Sequence, residues 1–251
     1  MNLKKIEIAF KNLILETFLL NKIYLFLKII KKSKKLYHYG ENSEDVLVNS
    51  FFNKKKNGIY FDIGCYHPIR GSLTYQLFKK GWKGINVDIS KETINLFNLC
   101  RPKDLNLNIA ISDKNLKTEY FQAGVINQAN SLKKINGAKK VKIDSMTLDS
   151  LIEKYNIKKI DYLNIDAEGI DFKIISGFSL KKIRPALITI EDTNNNIYDM
   201  SSLLKNKINS FFYKNNYFLY SRTYCTSFYV DNKYKKLIPK LLNTTLNFSF
   251  H

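Results

Sequence analysis

Two carboxylates stand one residue apart in NIDAEGID, residues 164–171, where Asp166 and Glu168 flank Ala167 and Gly169 follows. Carboxylates this close perturb one another, so that one becomes basic enough to take a proton from a hydroxyl. The same pair can bind a divalent metal or cap the helix that begins near Ile170. Upstream, YFDIGCYHPIRGS, residues 60–72, climbs through apolar residues to Asp62 and Gly64. An acid beside a glycine can accept hydrogen bonds from a cationic amine while the bare backbone lets a cofactor approach. His67, in the same stretch, titrates near neutrality and is a third candidate base, although a residue before proline can simply shape its loop. Asp88 ends a second apolar run, where a carboxylate can hold both hydroxyls of a ribose.

Acids at the ends of apolar runs need a sheet to bring them together. Runs at 59–63, 84–88, 105–111, 160–165 and 186–191 are nearly continuous in apolar residues, as in strands buried on both faces of a parallel sheet. Helical spacing of apolar residues fills 74–80, 91–100, 147–155 and 171–176 between them. Strand alternating with helix predicts an open, doubly wound α/β sheet, with ligands at the carboxyl ends of its strands. The aromatic runs 217–222 and 226–230 are too close for a crossover helix and predict a terminal antiparallel hairpin.

The 251 residues suffice for one substantial domain, placed at 37–251, and 45% hydrophobic content supports a packed core. Residues 1–36 differ in kind. They are apolar but interrupted by Glu16, Asn21, Lys22 and Lys28, too often for a spanning helix. A basic amphipathic helix is expected there, lying on an anionic membrane surface or docking on the domain or a second subunit. The net charge of +19 first brings a polyanion to mind, yet the lysines sit mostly singly or in pairs, which argues against nucleic acid as partner. Lys139, Lys140 and Lys142 are taken as a solvated face and Trp82 as a packing residue. Cys65, Cys100 and Cys225 are odd in number and scattered, as in an intracellular chain, so a cytoplasmic location is expected, peripheral to the inner face of the membrane if residues 1–36 bind it. His38, His67 and His251 are equally dispersed, and no zinc site is expected.

The first strand lacks the glycines of a dinucleotide fingerprint: after Gly64 the next glycine is Gly71. A dinucleotide must lay its pyrophosphate on bare backbone at a helix N-terminus, whereas S-adenosylmethionine carries no phosphate. The stretch is therefore weak support for NAD and is compatible with a sulfonium cofactor.

Four segments together resemble the FkbM-type methyltransferases: YFDIGCYHPIRGSLTYQLFKKGWKGINVDIS, RPKDLNLNIAISD, MTLDSLIEKYNIKKIDYLNIDAEGIDFKIISGF and RPALITIE. They occur in order and at compatible spacing, and the resemblance covers roughly residues 37–191, which makes it more specific than any single motif. It implies a Rossmann-like class I methyltransferase fold with a mostly parallel seven-stranded sheet, S-adenosylmethionine as cofactor, and O-methylation of sugars or other hydroxylated products of the surface-polysaccharide kind. By the resemblance, Asp62, Gly64 and Cys65 fall in the first cofactor motif. Asp88 and Ile89 fall where ribose and adenine edges are read, and Ala110, Ile111 and Ser112 beside the adenine. Gly40 and Glu41 match the family's upstream motif, although His38 replaces its usual glutamine, and Ile89 with Ser90 stand where the family often has proline. Asp166, Glu168 and His67 are the candidate catalytic residues, and no metal is called for.

Three other readings compete. A base-modifying nucleic-acid enzyme commonly carries an N/D-P-P-Y/F motif where this chain has DAEG. An NAD-dependent oxidoreductase needs the missing glycines, and a non-catalytic cofactor-binding protein could keep the same fold.

Overall fold

The structure, a computed structural model, describes residues 38–123, 129–192 and 200–237. The expected amphipathic extension at 1–36 lies outside them. Strands β1 (Ile59–Ile63), β2 (Lys83–Asp88), β3 (Leu105–Asn108), β7 (Tyr162–Ile165) and β8 (Leu187–Glu191) run parallel, and β9 (Tyr217–Thr223) and β10 (Thr226–Asp231) close the sheet as an antiparallel hairpin. The order is β3-β2-β1-β7-β8-β10-β9. The first and second strand-end acids, Asp62 and Asp88, and Asp166 and Glu191 therefore gather at one edge of the sheet.

Successive residues point to opposite faces, and both faces are covered. Phe61, Ile63, Leu163 and Ile188 meet Leu148 and Leu151 of helix α4 (Leu148–Lys154) and Ile174 of α5 (Asp171–Ser176) in the larger core. Tyr60, Tyr162 and Leu187 meet Val48 of α1 (Glu44–Phe51) and Leu77 of α2 (Tyr75–Lys79) in the other. Helix starts follow the local sequence: Ser90 Oγ accepts from Thr93 N at the head of α3 (Lys91–Cys100), Thr147 Oγ1 from Ser150 N at α4, and Asn206 from Asn209 N at α7 (Lys207–Lys214). A further helix, α6 (Met200–Lys205), precedes α7.

Trp82 is a packing residue, 3% exposed and edge-on to Phe52 at 4.9 Å between ring centroids. Its ring lies so close to Gly58 that a Cβ there would stand 2.5 Å from it. Trp82→Ala should cost about 3–5 kcal/mol in denaturant unfolding, the range for emptying an aromatic core site; a loss below about 1 kcal/mol would show that the site collapses freely.

Two expectations needed correction. Residues 105–111 are not one strand. Ile109 N and Asn108 Nδ2 both donate to the Asp88 carbonyl, and Asn108 Nδ2 also to that of Ile89, which ends pairing with β2. The chain then enters a second sheet, ordered β4-β6-β5, through β4 (Ala110–Ile111), with β5 (Leu116–Gln122) and β6 (Lys139–Met146). The β5–β6 ribbon escaped the sequence reading because charge masks its alternation. Lys117 faces Asp144 and Glu119 faces Lys142 across the pair, while Tyr120, the next residue and on the other face, is 3% exposed. The lysines at 139, 140 and 142 are exposed on β6, and Lys140 Nζ lies 3.4 Å from Glu119. The second correction concerns the apolar runs: a buried polar row of Asn86, Asp62, Asn164 and Thr189 crosses four adjacent strands. Among the described residues no helix is long and apolar enough to cross a membrane.

Candidate active site

A cleft opens over the carboxyl ends of β1, β2, β7 and β8, with Ile109, Ile111, Asn130 and Leu132 of the second sheet and its connections on one side. Its floor is the junction of β1 with β7. Gly64 takes φ +75°, its N–H donates to Val87 O at 2.9 Å, and Asp166 N donates to Ile63 O at 3.0 Å. A Cβ on Gly64 would stand 1.6 Å from the Asp166 carbonyl oxygen, so only glycine lets the two strand ends meet.

Asp88 is aimed by two backbone donors, Tyr66 N to Oδ2 at 3.0 Å and Ser90 N to Oδ1 at 2.7 Å. Partial burial raises its carboxyl to about 6, against the pull of those donors. Ile89, Cys65 and Ile111 line the cleft beside it, and burial drives the Cys65 thiol well up, with Asp88 and Asp62 adding to the effect.

Asp62 differs from expectation. It is 2% exposed, and its two oxygens accept from Thr74 Oγ1 at 2.7 Å and Asn164 Nδ2 at 2.9 Å. It reaches the cleft only at the floor and holds the strand-end loop instead of offering itself to an amine. Burial raises its carboxyl, partly offset by these two donors.

At the other end of the cleft, Asp166 and Glu168 both line the wall with Glu191. Asp171 holds their loop, Oδ1 accepting from Ala167 N at 2.8 Å and Oδ2 from Gly169 N at 2.9 Å. Ser131 Oγ donates to the Glu168 carbonyl at 3.2 Å. Glu168 itself sits at φ +52°, an uncommon conformation for a side-chain-bearing residue that clusters at functional sites. Burial, Glu191 and Asp171 raise its carboxyl to about 7. Asp166 faces the open cleft yet lies deep beneath the surrounding surface. That depth, with Glu191, Asp171 and Glu168 around it, pushes its carboxyl well above the usual range.

Three predicted residues stand elsewhere. His67 is outside the cleft lining, and its Nδ1 accepts from Ile69 N and Arg70 N at 3.1 and 3.0 Å. Its acceptor nitrogen is spent on shaping the loop after Cys65, and partial burial with Arg70 and Arg101 nearby lowers its pKa, so the ring is a brace and not a base. Ala110 is buried at 1% exposure and off the cleft. Ser112 turns its hydroxyl to Asp113. Alternation along the extended chain at β4 turns these two away from the cleft that Ile109 and Ile111 line. In their place the structure brings in Ile109, Leu132 and Glu191, while Glu41 of the upstream motif lies at the rim. Glu191 ends an apolar run, as a strand-end acid should; Leu132 carried no signal, because the ribbon that delivers it was masked by charge. Among the described residues no group of three or more His, Cys, Asp or Glu side chains is arranged to hold a metal ion.

A parallel sheet closed by an antiparallel hairpin, with a strand-end glycine and an acid-lined cleft above it, defines a Rossmann-like methyltransferase fold. Residues 62–219 match the family model described as the Methyltransferase FkbM domain, and the chain belongs to that family. The same comparison made with curated proteins and with solved structures found no match. Membership in a methyltransferase family takes the place of the oxidoreductase alternative.

Proposed function

We propose that the chain is an S-adenosylmethionine-dependent O-methyltransferase acting on a sugar hydroxyl of a surface polysaccharide or related glycoconjugate. The observation that carries the cofactor reading is Asp88, held by two backbone N–H groups at the end of β2 with its remaining lone pairs toward the cleft. The cofactor also fits the charge of the cleft. Its described lining includes Asp88, Asp166, Glu168 and Glu191 but neither lysine nor arginine, which suits a sulfonium cation and opposes a pyrophosphate. Helix α2 begins only at Tyr75, so its N-terminus does not follow Gly64 directly as a dinucleotide site requires. The sugar acceptor rests on the family resemblance.

When bound, the cofactor supplies a methyl group already activated by the sulfonium charge. The protein's share is then alignment and proton removal. Gly64 and Cys65 would form the floor of the cofactor's site, Asp88 would hold its ribose, and Ile89 and Ile111 would receive the base. The acceptor hydroxyl lies toward Asp166 and Glu168, and a carboxylate oxygen of this pair takes its proton. Asp171 and Ser131 keep that oxygen in place by fixing the loop that carries it.

Two measurements test the reading. Titration calorimetry should show S-adenosylmethionine binding to the parent chain, with Asp88→Ala weakening it about 10- to 100-fold, the loss expected for hydrogen bonds to a charged group; equal affinity would remove Asp88 from the cofactor site. Mass spectrometry of cell-surface glycans with and without the gene should differ by one methyl on one sugar. An unchanged glycan profile would sink the acceptor class.

A further inference from the structure

The loop between Gly64 and α2 has little of its own to hold it. Among the described residues, the backbone hydrogen bonding within 66–73 is confined to a turn at Arg70 and Gly71. Yet its Tyr66, at φ +47°, must deliver the N–H that aims Asp88. Beyond the His67 ring, which ties Ile69 N and Arg70 N within the loop, what fastens the loop to the rest of the fold is a side chain from the far end of α3.

Arg101 is fully buried, at 0% exposure. Nη1 donates to Tyr60 OH at 3.0 Å and Thr74 Oγ1 at 2.9 Å; Nη2 donates to Ser72 Oγ at 3.0 Å and to the Pro68 carbonyl. Three of these four acceptors belong to the loop and its junction with α2. All four are neutral, and negative charge stands one bond further off: Thr74 Oγ1 donates to Asp62, and Tyr60 OH to Asp104 at 2.5 Å. The guanidinium also lies against Phe97 and Phe78, at 4.9 and 5.1 Å from their ring centroids. A buried cation without a direct ion pair is costly to a fold. Its planar fork, however, reaches loop atoms on two sides at once, which an ammonium cannot do.

We propose that Arg101 is a positioning residue for the cofactor end of the cleft: it clamps Pro68, Ser72 and Thr74 so that the Tyr66 N–H is set against Asp88 before the cofactor arrives. The proposal rests on the S-adenosylmethionine reading. Arg101 touches no reacting atom; it acts through the loop.

The test pairs Arg101→Lys with Ser72→Ala, which removes one tie and leaves Arg101 in place should the first variant fail to fold. Hydrogen exchange of the Tyr66, Ile69 and Arg70 amides, all bonded to side chains, reads loop order without cofactor. Calorimetry with S-adenosylmethionine reads the site. Both folded variants should exchange these amides about tenfold faster and bind the cofactor about tenfold more weakly, the loss expected for one charge-assisted hydrogen bond. Unchanged exchange in the folded variants would overturn the clamp. Faster exchange with parental affinity would also overturn it, leaving Arg101 a structural residue only. A parent chain that binds no S-adenosylmethionine would overturn the cofactor reading and this role with it, and the parent titration separates that case from the other two.

Discussion

Gly64→Ala is expected to destabilise the fold by about 3–4 kcal/mol and to abolish cofactor binding, the sum of left-handed strain and overpacking. The new methyl group would stand 1.6 Å from the Asp166 carbonyl oxygen and 2.8 Å from its carbon. Both are backbone atoms and cannot rotate away. Relief requires β1 and β7 to part at their ends, which breaks the Asp166 N–H bond to Ile63 O and carries the acid pair off its position. Gly71→Ala is the control. Gly71 shares the left-handed conformation, at φ +70°, but its nearest neighbours would be 3.7 Å away. It should cost only about 1 kcal/mol, from strain alone. Urea unfolding of the two variants decides between strain and contact: equal losses would refute the contact argument.

The contrast also marks what a sequence can carry. Gly64 at the end of an apolar run predicts a special backbone, and β1, α3 and α5 lie at the residues their periodicity predicts. Asp88 and Asp166 were readable for the same reason, since a parallel strand brings its end to the ligand edge whatever lies beyond it. The burial of Asp62 was not readable because its partners, Thr74 and Asn164, are 12 and 102 residues away, and only the register of β1 on β7 shows each of its oxygens tied to a neighbour. His67 was misread for a nearer reason. A histidine whose Nδ1 accepts from the two N–H groups following Pro68 has the same sequence as one that points into a cleft. Arg101 was invisible as a functional residue because a buried arginine in RPKD differs from a solvated one only through tertiary contacts. The β5–β6 ribbon hid behind the charged residues of its exposed positions, among them Lys140 and Glu119 in an ion pair across the strands.

Removal of the Glu168 carboxylate should show in activity and stability with opposite dependence on pH. If Glu168 takes the acceptor proton, activity in the parent should fall about tenfold per pH unit below about 7, where the raised carboxyl holds its own proton. Glu168→Gln should lower turnover about 10²- to 10⁴-fold and flatten that limb. Asp166→Asn is the necessary companion, because two carboxylates this close release their protons as a pair. If Asp166→Asn abolishes turnover while Glu168→Gln retains it, the base is Asp166. Stability runs the other way. The folded carboxyl of Glu168 is raised from the ordinary 4.5, so its favourable contribution is complete below about 4.5 and is lost as pH rises through about 7. Glu168→Gln should therefore raise the thermal midpoint at pH 8 and leave it nearly unchanged at pH 4.5. A midpoint gain that is the same at both values would mean that the carboxylate is not crowded in the folded protein. Together the two profiles state the physical trade at this site: the burial of Glu168, with its crowding by Glu191 and Asp171, that makes it a useful base near neutrality also strains the fold there. A cationic ligand in the cleft should relieve that strain. The parent should accordingly gain more in thermal midpoint at pH 8 from S-adenosylmethionine than from an equal concentration of S-adenosylhomocysteine, which lacks the sulfonium charge, because relief of the strain tightens binding of the cation.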